Sequence, residues 1–317
     1  MELGTLPLFE RLGSSKSVLL AGAGGGFDVF AGLPLYAALR RRGVTVHLAN
    51  LSFSRLDGCD GRRLTDAVVE VGPETKGGRD YFPEHHLARW LGERGEPARV
   101  FAFEKVGVVP LRDAYAALVA ELAVDALVLV DGGSDSLLIG DEAGLGTPAE
   151  DMASIAATDD LALATKLLVS IGFGVDAFHG VSHGHVLETV ATIAKDGGFL
   201  GAFSLMREMD EFAFYKSAVE TVNAAMAEQP SIVNASILSA VEGDFGDVHR
   251  THRTRGSTLW INPLMAMYFA FELGAVARRV GYLPSIKHTR TMFEITAIIE
   301  AHQRSVGRLR PWAKIPI

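Results

Sequence analysis

The stretch of this sequence best suited to chemistry is residues 131–142, which read D-G-G-S-D-S-L-L-I-G-D-E. It places acidic side chains and serines directly after the apolar run 126–130. An aliphatic run of this kind, ended by Asp-Gly-Gly, is typical of a strand that is buried on both faces. Carboxylate oxygens suit Mg²⁺, which usually takes one or two of them together with substrate oxygens. We therefore predict Asp131 and Asp135 as metal ligands, with Asp141 as a further candidate.

The same segment allows two other interpretations. Residues 132–136, G-G-S-D-S, approximate the G-x-S-x-G pattern of a nucleophilic Ser134, with serine in the last small position. The residues that follow reach Gly140 too soon for the long helix that such a nucleophile precedes. Alternatively, the Asp and Ser side chains only bind local backbone in a tight turn. Because a glycine-rich acidic loop is costly unless it holds a ligand, we favour chemistry in which Asp135 orients or activates the nucleophile.

A second glycine-rich segment, residues 22–28, follows an earlier predicted strand and reads G-A-G-G-G-F-D. Backbone amides at the start of a helix bind phosphate, so the segment suggests a dinucleotide site. The details argue against one, because Phe27 replaces a required glycine and Asp28 puts a negative charge where pyrophosphate would lie. The second strand also ends at Asn50 without the usual acid for a ribose hydroxyl. Asp28 either caps the helix or contacts a ligand hydroxyl, amine or Mg²⁺.

Both loops follow strands of one predicted sheet, so they fall on the same edge and form one pocket. The predicted ligand-binding residues are Gly24, Gly25, Gly26, Asp28, Asn50, Asp131, Gly132 and Gly133.

Three histidines lie close together in F-H-G-V-S-H-G-H, at His179, His183 and His185. One helical turn cannot direct positions 183 and 185 at a common point, and no cysteine or H-E-x-x-H pattern accompanies them, so zinc is disfavoured. The dipole at a helix N-terminus favours a neutral imidazole, which is the form that a general base requires. We predict His183 as the base, with a solvent-facing or capping histidine as the alternative.

A basic cluster, H-R-T-H-R-T-R, contains Arg250, His252, Arg253 and Arg255. Arginine binds phosphate or carboxylate through paired contacts. A run of charges is more often a solvated loop, and we favour that interpretation here.

Strands and helices alternate along the chain, which is typical of a parallel sheet with helical crossovers. Apolar runs predict strands at 18–21, 44–51, 68–71, 100–103, 126–130, 167–173, 199–205 and 232–241. Helices are predicted after Asp28, from Pro110, from Thr147, from Ser182, and at 212–226 and 291–303. Thr147 and Glu150 have the spacing of a capping box around Pro148. We predict a Rossmann-like, doubly wound α/β fold with a mostly parallel sheet, helices on both faces and a single large domain over residues 1–317. A short basic tail, 307–317, is expected to dock on the body or on another subunit.

The composition excludes several classes of protein. The chain has 317 residues, of which 48% are hydrophobic, and a net charge of -8, so it can bury a large core and its overall field repels nucleic acid and anionic membranes. The single cysteine, Cys59, excludes an intramolecular disulfide and fits a reducing compartment. We see no signal peptide and no uninterrupted apolar span, so we expect a cytoplasmic protein. Homo-oligomer formation stays open.

Three longer segments carry a resemblance to a known family: GAGGGFDVFAG, DGGSDSLLIGDEAGLGTPAEDM and GVDAFHGVSHGHVLE. They resemble the signature segments of an uncharacterised prokaryotic domain of unknown function, DUF1152, and the likeness spans nearly the whole chain. The resemblance implies a fold and a cytoplasmic setting but no activity. Any chemistry has to be inferred from the residues themselves.

We therefore predict an enzyme that acts on a small polar metabolite, for example a nucleoside-like or phosphorylated one, by hydrolysis or group transfer, with Mg²⁺ as a candidate cofactor. Asp135 would orient or activate the nucleophile, and His183 would move the proton. One alternative is a serine hydrolase that uses Ser134. Another is a non-catalytic sensor of a nucleotide or metabolite, which needs the glycine loops but no histidine beside the acids.

Overall fold

The computed structural model describes residues 5–78, 81–257 and 259–315. Its strands, in chain order, are β1 (Ser17–Gly22), β2 (Thr45–Leu51), β3 (Arg62–Thr65), β4 (Val68–Val71), β5 (Val100–Phe103), β6 (Ala126–Gly132), β7 (Thr165–Ile171), β8 (Phe199–Ser204), β9 (Gly246–Asp247), β10 (Trp260–Ile261) and β11 (Met267–Glu272).

The helices are α1 (Pro7–Arg11), α2 (Asp28–Ala31), α3 (Leu33–Arg41), α4 (Pro83–Gly92), α5 (Val108–Glu121), α6 (Pro148–Asp159), α7 (His183–Lys195), α8 (Asp210–Ala225), α9 (Ile232–Val241), α10 (Leu273–Ala277), α11 (Leu283–Ile286) and α12 (Met292–Ser305). Short 3₁₀ turns follow β6 at Asp135–Leu137 and β7 at Val175–His179.

Within the described residues, nine strands form one sheet in the order β3-β4-β5-β2-β1-β6-β7-β11-β8. The five central strands, from β5 to β7, run parallel, and antiparallel strands extend both edges. From β1 the chain winds outward through β2 to β5, and then returns to the other side of β1 for β6 and β7. The sheet is therefore doubly wound, as predicted, and its topological switch point lies between β1 and β6.

Alternate residues of the central strands pack into two separate cores, one on each face of the sheet. In β1, Leu19 packs with the core that contains α5 and α6, while Val18 and Leu20 pack with the core that contains α3 and α8. The whole of β1 and β6 is buried, which explains why both read as continuous aliphatic runs. Helices thus cover both faces of the sheet, and the carboxyl ends of the parallel central strands lie together along one edge.

The prediction of a strand at 232–241 is wrong, because this segment forms the helix α9. Seven of its ten residues are buried, so apolar side chains occur all around the helix and leave no helical periodicity to detect. Ser231 caps the helix, since its hydroxyl accepts a hydrogen bond of 3.1 Å from the backbone N–H of Asn234. The predicted helix at 291–303 corresponds to α12, which has a complete capping box.

The helix predicted from Thr147 is confirmed as α6, but its predicted capping box is not formed. The Thr147 hydroxyl instead donates to the Asp135 carboxylate at 3.2 Å, and Glu150 forms an ion pair with Lys105 at 2.6 Å. The Ser182 side chain likewise does not cap α7 and instead exchanges hydrogen bonds with the backbone of Ala313. In both places the side chain predicted to cap a helix forms a hydrogen bond with a residue that is distant in the sequence.

The C-terminal segment docks on the body, as far as residue 315, and residues 316–317 of the predicted tail lie outside the described residues. Its main anchor is Arg310, whose guanidinium contacts Asp141 at 2.6 Å, Glu142 at 3.2 Å and Glu188. Trp312 donates from its indole N–H to the carbonyl of Val181 at 3.3 Å. The segment therefore joins the loop after β6 to the start of α7.

Within the described residues, no helix has the length and hydropathy needed to span a membrane.

Candidate functional site

A cavity of about 440 Å³ opens at the carboxyl ends of β1 and β6, beside the switch point. Its walls come from the loop after β1, the loop after β6, the 3₁₀ turn after β7 and the first turns of α6 and α9. Open α/β sheets bind ligands at this position because the strand order reverses there and leaves a crevice between the loops. The pocket predicted from the two glycine-rich segments is thus present as one continuous space.

Among the described residues that line this cavity, the acidic ones are five aspartates. We call them the aspartate cluster: Asp28, Asp131, Asp135, Asp151 and Asp176. Asp28 is half-buried, and the exposed fraction of the other four side chains is below a tenth. Sequence analysis singled out the first three and missed Asp151 and Asp176.

Burial raises the pKa of every member of the aspartate cluster, and that of Asp28 reaches about 7. Mutual repulsion adds to this effect, and the charge of Asp135 is the strongest electrostatic influence on each of the other four. Carboxylates that cannot reach water need a cation or donors, or else they take up protons. The cavity therefore has a strong intrinsic affinity for positive charge.

Most of the cluster is held in place by nearby hydrogen-bond donors. These are Gly24 N–H to Asp28 at 2.7 Å, Ser136 O–H to Asp131, Thr147 N–H to Asp135 at 2.9 Å, and Ser134 N–H to Asp176 at 2.9 Å. Asp151, in the first turn of α6, differs from the rest, because its Oδ1 is buried and has no hydrogen-bond partner. A buried carboxylate oxygen without a donor costs free energy that a bound ion would recover.

Three of these carboxylates could share one metal ion. Asp28, Asp131 and Asp151 each offer one oxygen, and these oxygens lie within 4.8 Å of one another. Of the predicted metal ligands, Asp131 belongs to this group, whereas an oxygen of Asp135 is engaged by Thr147. Asp141 is outside the cavity lining and pairs with Arg310. Hard oxygen donors of this kind suit Mg²⁺ or Mn²⁺.

The glycines of the two loops let backbone and carboxylates approach closely. A Cβ atom on Gly24 would lie 2.8 Å from both oxygens of Asp151, and one on Gly132 would lie 2.9 Å from Asp28. On Gly133, a Cβ would lie 2.6 Å from Asp176. Gly25 and Gly26 have positive φ angles of 94° and 61°, which glycine adopts without strain. Of these glycines, Gly133 is the one that does not line the cavity.

Asn50 supports the glycine loop from behind and does not line the cavity. Its side-chain amide donates to the carbonyl of Gly26 and to Glu84, both at 2.8 Å, and its oxygen accepts from Val29 N–H at 3.3 Å. Glu84 is fully buried, and burial raises its pKa to about 7. Asn50, predicted to touch the ligand, instead supports the conformation of the loop that lines the cavity.

The histidine on the cavity is His179, which ends the 3₁₀ turn after β7. Its charge stabilises the ionised form of Asp135 and so lowers the pKa of that carboxyl, against the effect of burial. His183, the predicted base, is not part of the lining, because its ring packs between Phe173 and Trp312 at 5.3 and 6.0 Å. Burial lowers its pKa, so the neutral form expected at this position is favoured.

Ser134, the alternative nucleophile, is 1% exposed and its hydroxyl has no hydrogen-bond partner among the described residues. No histidine is therefore bonded to it as a base. The residues after it form the short turn Asp135–Leu137, in agreement with the expectation that no long helix follows.

The rim of the cavity is aromatic and basic. Phe53, Tyr81 and Phe178 line it, and Arg253 is the arginine of the basic cluster that reaches it. Arg250 is held elsewhere, by ion pairs with Glu242 and Asp244. His252 and Arg255 are exposed, as expected for a solvated loop.

Signals for the missed residues were present in the sequence. Asp176 follows the strand β7 directly after a glycine-containing turn, and Asp151 lies in a segment that carries the family resemblance. Asp151 was overlooked because acidic residues in the first turn of a helix are common for reasons of the helix dipole alone.

Comparison with known proteins supports the family and adds no activity. No curated protein matches the chain, and no solved structure matches it. One family model matches residues 19–304, which is most of the chain and includes every member of the aspartate cluster. The chain therefore belongs to the family described as "Protein of unknown function (DUF1152)".

Proposed function

We propose that this protein is an enzyme that acts on a small polar metabolite, by hydrolysis or group transfer, at a divalent cation held by Asp28, Asp131 and Asp151. The single observation that carries the proposal is the Asp151 carboxylate, which is 2% exposed and has one oxygen without a hydrogen-bond donor. That side chain belongs to the group whose oxygens lie within 4.8 Å of one another. A carboxylate that is kept buried and unpaired is better explained by a ligand than by stability.

The charges of the cavity support a cation over a purely structural role for the acids. Besides burial, the charge of Asp135 raises the pKa of the other four carboxyls of the aspartate cluster, a repulsion that is unfavourable for folding when they are ionised. A divalent cation removes much of this repulsion. It would also lower the pKa of a bound water molecule and polarise an oxygen of the substrate.

His179 and Asp135 are the residues we propose for proton transfer. Both line the cavity, and the charge of His179 lowers the pKa of the Asp135 carboxyl against the effect of burial. His179 in its neutral form accepts a proton from the attacking water or hydroxyl group, and the ionised Asp135 stabilises the resulting imidazolium. His179 thus takes the role that the sequence suggested for His183.

The proposal is tested with metal-free protein that is reloaded with Mn²⁺ or Mg²⁺ and incubated with a mixture of small metabolites. Mass spectrometry should detect at least one compound that is consumed with the metal and left intact after chelation. Asp151→Asn should abolish both this turnover and the thermal stabilisation by Mn²⁺. The matched control is Glu150→Gln, because Glu150 is the adjacent residue of α6 and pairs with Lys105.

His179→Ala should lower turnover by roughly 10²-fold or more while the stabilisation by Mn²⁺ persists. The proposed function would be overturned if no divalent cation stabilised the protein, or if Asp151→Asn retained metal-dependent turnover.

A second candidate function is a sensor that binds a metabolite without changing it. It is favoured by the position of His183, the predicted base, which is packed against Phe173 and Trp312 away from the cavity lining. A compound that stabilises the protein and is recovered unchanged from every metal condition would support the sensor over the enzyme.

A further inference from the structure

We propose that the metabolite bound in this cavity is a small zwitterion, similar to an amino acid, with its cationic nitrogen facing Asp135 and Asp176 and its carboxylate bound by Arg253. The proposal rests on the proposed function in that it concerns the same cavity and assumes the same divalent cation. It adds the chemical class of the substrate.

The carboxyl groups that line the cavity outnumber those that the proposed cation would contact. The aspartate cluster carries five negative charges when it is ionised, and a cation held by Asp28, Asp131 and Asp151 compensates two of them. Asp135 and Asp176 lie outside that group, although both line the cavity and are buried. An ammonium or guanidinium group is the substrate chemistry that fits next to such carboxylates.

Among the described residues that line the cavity, the side chain with a permanent positive charge is that of Arg253, which is exposed at the rim. Its guanidinium donates one hydrogen bond to the carbonyl of Pro230, at 2.9 Å, which fixes the side chain against the start of α9. Within the part of the chain that the structure describes, no carboxylate lies within 4.0 Å of it, even though five carboxylates line the same cavity. Ile232 and Val233, the first residues of α9, line the cavity beside it and add the positive end of a helix dipole.

Substrates with other charges would leave either Arg253 or the carboxylates without a counter-ion. A dianion such as a phosphate would satisfy Arg253 but would be repelled by the carboxylates that the metal does not neutralise. A diamine would satisfy the carboxylates and leave Arg253 unpaired. A neutral polyol would leave both kinds of charge without a counter-ion. The zwitterion satisfies both, because it carries one charge of each sign.

The test uses four-carbon and six-carbon compounds that differ only in their end groups, with the full-length protein saturated with Mn²⁺. The probes are 4-aminobutanoate and 6-aminohexanoate, the matching α,ω-diamines, the matching diacids (succinate and adipate) and the matching diols. Dissociation constants are measured by calorimetry and checked by thermal shift. We expect the aminoalkanoate of at least one length to bind at least tenfold more tightly than the diacid, the diamine and the diol of that length.

Arg253→Gln should remove the advantage of the aminoalkanoate over the diamine of the same length. Arg255→Gln is the matched control, because Arg255 is an exposed arginine of the same segment and does not line the cavity. Thermal unfolding of both variants establishes that they are folded.

The outcomes separate the two proposals. Failure of Mn²⁺ to bind would overturn the proposed function. Three results would each overturn the zwitterion proposal alone, provided that Mn²⁺ binds normally. They are binding of the diacid that is equal to or tighter than that of the aminoalkanoate, no binding of any probe, and a preference among the probes that is unchanged in Arg253→Gln.

Discussion

Ser134 lies between Asp131 and Asp135 in the sequence, and its contact with the aspartate cluster is made by its backbone N–H. Its N–H donates to Asp176 at 2.9 Å, while its hydroxyl is buried and without a partner. A serine nucleophile needs a base within hydrogen-bond distance and an exposed oxygen atom. Ser134 has neither in this conformation, so we attribute to it the positioning of Asp176.

We predict that a fluorophosphonate probe will not label this protein at Ser134. In Ser134→Ala the increase in Tm caused by Mn²⁺ should equal that of the wild type, because the substitution keeps the N–H that orients Asp176. Labelling is measured by mass spectrometry, with an active serine hydrolase in the same reaction as a positive control. Labelling of the wild type that disappears in Ser134→Ala would restore the serine hydrolase as the better hypothesis.

The residues of the site were predictable to the extent that they follow strands. Asp131 lies near the carboxyl end of β6, Asp28 follows the glycine-rich turn after β1, and both line the cavity. The two histidines 179 and 183 could not be ranked from spacing, because their environments depend on the distant residues Phe173 and Trp312. The sequence thus indicates which loops meet at the switch point. It does not indicate which side chain of each loop faces the cavity.

Among the elements that line the cavity, α9 is the one whose type differs from the prediction, which was a strand. The run I-V-N-A-S-I-L-S-A-V is apolar enough for either structure, since a helix buried on most sides has no polar face. As a helix it places its first turn, which includes Asn234, in the cavity lining, to which Arg253 also contributes. The central strands were predicted correctly because double-sided burial leaves unbroken aliphatic runs between glycine-rich turns.

The C-terminal segment and the loop after β6 stabilise each other through Arg310. Glu142 is 1% exposed and accepts hydrogen bonds from the backbone N–H groups of Ile139 and Gly140 at 3.0 and 2.8 Å. Arg310 supplies the only charge opposite to it among the ion pairs of the described residues. The loop that carries Asp135 is therefore closed at its far end by residues from the end of the chain.

We predict that Arg310→Ala will destabilise the protein by about 1–3 kcal/mol, because it leaves the buried Glu142 carboxylate without its counter-ion. The free energy of unfolding is measured by urea denaturation. Arg308→Ala is the control, since Arg308 is an exposed arginine of the same segment. Equal stability of the two variants would show that the docking of the segment does not depend on this ion pair.

At the scale of the whole molecule, folding brings several carboxyl groups close together. In the unfolded chain these groups would ionise independently of one another. The doubly wound sheet brings one loop from each side of the switch point, and each loop contributes acids to the same cavity. The pKa values of Asp28 and of the more distant Glu84 both rise to about 7 in the folded protein. The unfolded values are about 4, so the folded state holds protons that the unfolded state has lost.

This difference fixes the sign of the pH dependence of stability. Between pH 4 and 7 these carboxyls bind more protons in the folded protein than in the unfolded chain, so their contribution to the free energy of unfolding of the metal-free protein falls as the pH rises through this window. A divalent cation competes with these protons and binds the ionised carboxylates. Its stabilising effect should therefore increase over the same range of pH.

We predict that the metal-free protein has a lower Tm at pH 8 than at pH 6, and that saturating Mn²⁺ reduces or reverses the difference. Mn²⁺ at 100 times its dissociation constant contributes about 2.7 kcal/mol, which is enough to shift Tm by several degrees. Calorimetry at both pH values, with and without chelator, measures the four Tm values. In Asp151→Asn the Mn²⁺ effect should vanish at both pH values, whereas Glu150→Gln should behave as the wild type. A metal-free protein that became more stable between pH 6 and 8 would contradict the raised pKa values, because ionisation of buried, mutually repelling carboxylates can only oppose folding in that range.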